Sequence, residues 1–142
     1  MKSFNLNKLY KAFIVLIIML IVSCAKDETT TTVDYTGSWT CVETATNPAG
    51  TTTFTIHLKK NGTSETAYYM ENIYNLGFSV QASLTISGNS ITIAQQSVGS
   101  GTNHFNTSGS GSVTSSTKIS LSYKMDDGSG AIDNCTATLT KQ

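Results

Sequence analysis

Thr51-Thr-Thr-Phe-Thr-Ile-His-Leu-Lys-Lys60, followed by Asn61-Gly62, decides the fold class. Phe54, Ile56 and Leu58 alternate with Thr53, Thr55, His57 and Lys59, the two-residue period of a strand with one buried face. Asn61-Gly62 adds two residues that tolerate positive φ, which predicts a two-residue type I′ turn into the next strand.

The same alternation continues in both directions. Upstream, Trp39, Cys41 and Glu43 share one face of a strand over Thr36–Thr46, and Asn47-Pro48-Ala49-Gly50 ends it. Downstream, Thr63–Glu71 sets Tyr68 and Met70 against Ala67 and Tyr69, with neither face marked as the inner one. Asn72–Gly77 is irregular and fits a turn, a short helical corner or a lid. Phe78–Ser87 places Val80, Ala82, Leu84 and Ile86 on one face, and after Gly88-Asn89 the segment Ser90–Val98 turns Ile91 and Ile93 inward. Asn103–Val113 is the weakest strand, and its glycines predict a bulge or sharp bend. Lys118–Met125 points Ile119, Leu121, Tyr123 and Met125 inward, and Ala131–Thr140 carries Cys135, Ala137 and Leu139 on one face. About eight short antiparallel strands without a helical pattern make an all-β meander. The expected architecture is an up-and-down barrel, with a two-sheet sandwich as the alternative.

The N-terminus reads differently. Met1–Lys11 is basic, with Lys2, Lys8 and Lys11, and Ala12–Val22 is an apolar run of 11 residues. That is the n-region and h-region of a secretory signal, and it is shorter than the roughly 20 residues a spanning helix needs. Ile21-Val22-Ser23-Cys24 resembles the lipobox of bacterial lipoproteins. The resemblance implies cleavage after residue 23, diacylglycerol on the Cys24 thiol, and a further acyl chain such as palmitate on the new amine. Two or more chains make a stable membrane anchor. Ala25-Lys26-Asp27-Glu28 looks like the charged tract after the lipidated cysteine in surface-exported lipoproteins of Bacteroidota. The implied location is the outer membrane, facing either the cell surface or the periplasm. Residues 24–34 then form a threonine-rich tether and residues 35–142 the β-domain.

Losing the signal leaves six lysines facing nine acids and no arginine, a net charge near −3. Nucleic acid needs a basic face and is excluded as a partner. In an exported, oxidising compartment Cys41 and Cys135 are expected to pair. A disulfide across that loop contributes roughly 4–5 kcal/mol on loop-entropy models. It also demands that the first and last strands be neighbours, which is the argument for closure.

Gly37-Ser38-Trp39 resembles the Gly-x-Trp that opens strand one of lipocalins, avidins and related calycin barrels, where the tryptophan plugs the closed end. With the lipobox, the chain resembles calycin-like lipoproteins of Bacteroidota. Lipocalins carry an arginine over that tryptophan, and Lys141 is the one candidate to replace it here.

No catalytic constellation is legible, and the chain reads as a non-enzyme. His57 falls on the outward face of its strand and His104 beside a loop, with no spacing that draws them together. Asp126-Asp127-Gly128 lacks the spaced ligands and distal glutamate of a calcium loop and reads as a solvated turn. Glu43 shares a face with Trp39 and Cys41, which allows an internal carboxylate with a raised pKa, but near a barrel mouth the expected reading is a solvated one. No metal or cofactor is expected. The binding reading is a monomeric barrel holding one small apolar or amphipathic ligand, contacted by Tyr68, Tyr69, Tyr74, Phe78 and Phe105. Small inward side chains predict an internal cavity, with Asn72–Gly77 and Gly99–Asn103 at its mouth. The alternative is a filled barrel that contacts glycans or proteins through its Ser/Thr-rich exterior, protease inhibition included.

Overall fold

The computed structural model describes residues 33–142. The signal segment, Cys24 and the tether up to residue 32 lie outside the described residues.

Eight antiparallel strands run in order: β1 (Gly37–Thr46), β2 (Ala49–Lys60), β3 (Ala67–Glu71), β4 (Gln81–Ser87), β5 (Ser90–Ser100), β6 (Asn103–Ser115), β7 (Lys118–Asp126) and β8 (Ile132–Lys141). A 3₁₀ turn, Ile73–Asn75, links β3 to β4. Each strand pairs with its successor and β8 pairs back onto β1, which closes the barrel. No strand edge is left free, so pairing with other chains is suppressed. Among the described residues, no helix is long and apolar enough to cross a membrane.

The alternation sets the inside. Ile56 and Leu58 on β2, Tyr68 and Met70 on β3, Ala82, Leu84 and Ile86 on β4, and Ile119, Leu121, Tyr123 and Met125 on β7 are all buried. Trp39 closes one end. It is fully buried, its indole N–H donates to the Tyr35 carbonyl at 3.0 Å, and the Lys141 ammonium lies 5.8 Å from the ring centroid. Lys141 thus lies over the face of the buried tryptophan.

The expected internal cavity is not seen among the described residues. Beneath the mouth only about 10 Å³ remains open, beside Cys41, Glu43, Phe54, Met70 and Tyr123. That is at most the volume of one water. The small residues of β6 make way for large neighbours: Gly109 pairs with Tyr123 and Gly111 with Leu121. A Cβ on Gly109 would sit 2.5 Å from Tyr123 Cβ, and one on Gly111 2.6 Å from Leu121 Cδ2. These glycines let big side chains lean across the strand, and the expected irregularity is present: the register shifts between Val113 and Ser115 against β7 and between Ile93 and Gln96 of β5 opposite Thr107 and Gly109. Gly109→Ala is expected to lower the unfolding free energy by about 1–3 kcal/mol through overpacking, read as the shift in urea midpoint. An unchanged midpoint would show that β6 has slack.

Two local expectations are corrected. Asn61-Gly62 does not form a two-residue hairpin, since β3 begins only at Ala67. Gly62 has φ 66°, but the loop is closed by Asn61 N–H donating to Ala67 O at 3.0 Å and by Ser64 Oγ accepting from Ala67 N at 3.2 Å. The side chain of Ser64 offers the backbone a longer loop than the dipeptide predicts. The expected Cys41–Cys135 disulfide is also absent, and both cysteines are buried free thiols. Cys41 lies opposite Leu139 on β8, four residues from Cys135. At about 3.3 Å per residue that offset is roughly 13 Å, beyond the ~7 Å Cα separation a disulfide tolerates. The strands are neighbours as expected, but the ladder of six β1–β8 residue pairs closes the barrel without a covalent bond.

Candidate functional site at the barrel mouth

The end opposite Trp39 is open. It is framed by Asn47-Pro48 between β1 and β2, by the 3₁₀ turn, and by the start of β8. A cleft of about 320 Å³ lies here, with Phe54, Tyr74 and Asn75 on its walls, Pro48 and Thr52 at its rim, and Glu43 at its base. That is the lower end of the size range for small-molecule sites.

Asp133 organises the frame. Its Oδ1 accepts from Thr46 N at 2.7 Å, Asn47 N at 2.8 Å and Thr46 Oγ1 at 3.1 Å, and its Oδ2 accepts from the Tyr74 hydroxyl at 2.7 Å. One carboxylate thus ties β8 to the β1–β2 turn and the 3₁₀ turn. Burial alone would raise its pKa, but the bonds from Tyr74, Asn47 and Thr46 outweigh that and hold it below the ordinary carboxylate range. The 3₁₀ turn is held in a costly shape: Asn72, Tyr74 and Asn75 have φ of 66°, 55° and 56°. Tyrosine rarely adopts such a conformation, and it persists only where surrounding contacts fix it. Here Asp133 grips the Tyr74 ring end, Asn72 Nδ2 donates to Thr55 O at 2.7 Å, and Gly77 N donates to Asn72 Oδ1 at 2.6 Å.

Glu43 is the anomaly of the site. It is 5% exposed, so the expectation that it is solvated is overturned. Phe54 and Tyr74, which share its surroundings at the mouth, help bury the face that its alternation assigned. The Tyr123 hydroxyl donates to Glu43 Oε2, and Oε1 has no hydrogen-bond partner among the described residues. Burial pushes the Glu43 carboxyl up, the Tyr123 bond opposes this, and the charge on Asp133 adds to it. Around it, burial pushes the Cys41 and Cys135 thiols up to about 12 and raises the Tyr123 phenol above its ordinary range. Among the described residues, Glu71 alone has a salt-bridge partner, so Glu43 and Asp133 stand without a cation.

The aromatic residues named from sequence scatter. Tyr74 and Phe105 meet near the mouth with ring centroids 5.9 Å apart. Tyr68 lies at the other end, 1% exposed, edge-on to Tyr35 and under the Lys60 ammonium at 4.3 Å. Tyr69 is on the outer face of β3, one residue out of step with inward Tyr68 and Met70. Phe78 is 47% exposed outside the barrel and stacks on His57 at 4.5 Å. His57 in turn contacts Glu71, which Lys59 and Gln81 also hold at 2.7 and 3.0 Å. Two further clefts, of about 280 and 370 Å³, lie outside the closed end. The larger exceeds the mouth cleft, but of these three it is the mouth that has an inward-facing carboxylate, Glu43, on its lining. No three His, Cys, Asp or Glu side chains among the described residues are placed to hold a metal.

No protein-family model matches the chain, and no curated protein sequence does. Solved structures match at the level of fold. A redesigned β-barrel is similar with a TM-score of 0.52 and 14% identity, covering 76% of this chain and 91% of that one. EF1p2_mFAP2b bound to DFHBI is similar with a TM-score of 0.51 and 14% identity, covering 76% of this chain and 94% of that one.

Proposed function

We propose that the chain is a non-catalytic, lipid-anchored binding protein whose barrel mouth takes one small amphipathic ligand. The anchor is the Cys24 lipid of the lipobox reading, in the outer membrane. The observation that carries the binding role is the mouth cleft of about 320 Å³, whose lining is more polar than apolar and sets Phe54 and Tyr74 beside Glu43. The filled interior moves the ligand from the barrel's centre to its rim. EF1p2_mFAP2b, of similar fold, is bound to DFHBI, which supports a ligand role for such a barrel. The absence of catalysis is supported by the site's own chemistry. Thiols raised to about 12 are poor nucleophiles at neutral pH, and His57 is engaged on the outer face.

A second reading is favoured by the barrel's exterior. Across β8, β1 and β2 the outward rows run Thr136–Thr44–Thr51, Thr138–Val42–Thr53 and Thr140–Thr40–Thr55, an uncharged hydroxyl face suited to a glycan or protein partner.

Native mass spectrometry of the protein purified from its own host separates the two. A stoichiometric adduct that is lost on denaturation is expected for the mouth-binding reading. The mass of the lipidated polypeptide with no further, dissociable adduct favours the exterior-contact reading instead.

A further inference from the structure

The mouth cleft has a mostly polar lining in which Phe54 and Tyr74 offer contact to an apolar group, and Glu43 is a group that a wholly apolar ligand would leave unanswered. Glu43 is 5% exposed, lines both the cleft and the small void below it, and leaves Oε1 without a hydrogen bond among the described residues. Oε1 is not sealed away but opens to the cleft, so a ligand that covers it without offering a donor strips its water and leaves it unpaired. The one group bonded to it, the Tyr123 hydroxyl, satisfies Oε2. The charged neighbour, Asp133, is another acid, and its two oxygens are already taken by Thr46, Asn47 and Tyr74. No lysine or histidine forms a salt bridge with either acid among the described residues. The local field is therefore negative with no internal counter-ion, and the faces of Phe54 and Tyr74 line the approach. Aromatic faces attract cations as well as apolar groups.

We propose that the mouth selects a small organic amine, its ammonium paired with Glu43 and its apolar body against Phe54 and Tyr74. This rests on the mouth-binding reading and names its ligand class. An anion is refused by Glu43 and Asp133 together, and a neutral analogue leaves the carboxyl unpaired. The groups facing Glu43 are Cys41 on its own strand, Tyr123 on β7, Asp133 and Cys135 on β8, and Tyr74 on the 3₁₀ turn. None of them supplies a positive charge. Ammonium binding favours the ionised carboxylate, so any proton that Glu43 holds is released on binding. Affinity then rises with pH until Glu43 is fully ionised and is flat above that.

The test uses the full-length chain in detergent and three probes of one ring system: tryptamine, 3-methylindole and indole-3-acetate. Isothermal titration is run in buffers of different ionisation enthalpy. Tryptamine is expected to bind with one-to-one stoichiometry, at least roughly tenfold tighter than 3-methylindole, about 1.4 kcal/mol at 25 °C. Indole-3-acetate is expected to be weakest, and the buffer dependence should report proton release below the Glu43 pKa. Glu43→Gln, which keeps the side-chain shape, is expected to bring tryptamine down to the level of 3-methylindole while circular dichroism stays native. Equal binding of tryptamine and 3-methylindole, or undiminished tryptamine binding by Glu43→Gln, overturns the amine class and leaves the mouth as a binding site. Failure of all three probes, with an adduct still carried from the host, also overturns the amine class alone. Failure of all three with no host adduct overturns the mouth-binding reading as well.

Discussion

Trp39→Ala is expected to lower the unfolding free energy by about 3–5 kcal/mol, as large aromatic truncations in packed cores do. Trp39 is fully buried at the closed end, faces Ile56 across β2 and Lys141 across β8, and donates its indole N–H to Tyr35 O. Its removal empties the plug, strands the Tyr35 carbonyl and takes away the aromatic face under Lys141. For a domain of this size each kcal/mol corresponds to roughly 4–8 °C in midpoint, so thermal unfolding by circular dichroism reads the effect directly. Trp39→Phe keeps part of the volume and loses only the hydrogen bond and one ring, so its cost should be clearly smaller. A loss below about 1 kcal/mol for Trp39→Ala would mean that the closed end is sealed by something else.

Asp133→Ala is the second large effect, expected at about 2–4 kcal/mol, because buried donors to a charged acceptor lose their partner. Thr46 N, Asn47 N and the Tyr74 hydroxyl would all be left unpaired. Tyr74, held at φ 55°, would be free to relax, and the mouth would loosen. The pH dependence carries a sign. The folded pKa of Asp133 is held below its ordinary 3.8, so its stabilisation is present above 3.8 and is lost as pH falls through the folded value. Glu43 behaves oppositely: its folded pKa is raised above the ordinary 4.5, so its contribution is present at low pH and fades as pH rises from 4.5 through the folded value. Midpoints measured across pH should therefore show a shallower acid-side slope in Asp133→Ala, with Asp34, Glu71 and Asp127 keeping part of it, and a reduced falling slope above 4.5 in Glu43→Gln. Slopes unchanged from wild type would show that neither carboxyl is tied to folding as described.

The barrel was legible because its inner faces alternate so regularly. The inward sets of β1, β2, β4, β7 and β8 follow from a period of two, and Gly37-Ser38-Trp39 with Lys141 marked the closed end. Closure itself was inferred from a disulfide that register forbids, since cysteine spacing in sequence carries no information about stagger between strands. The glycines of β6 misled in the same way: a gap in one strand reads as thinness until its neighbour is known to be Tyr123 or Leu121. The mouth was half legible. Tyr74 and Phe105 were named, and alternation put Glu43 on the face of Trp39, but Asp133 was not singled out. What no spacing shows is that Tyr123, from a strand 80 residues away, reaches Glu43. The left-handed turn that swings Tyr74 over both carboxyls was hidden because its sequence, Asn-Ile-Tyr-Asn, has no glycine to announce it.

The central claim is that a ligand sits on a filled barrel, at the mouth and not within it. The direct measurement is the ¹H–¹⁵N spectrum of the isotopically labelled, host-purified protein, recorded before and after ligand removal by denaturation and refolding. The account predicts shifts confined to 43–54, 72–77 and 131–135, with Ile93, Leu84 and Ile119 unmoved. Changes spread through those core residues, or two identical spectra, would contradict it.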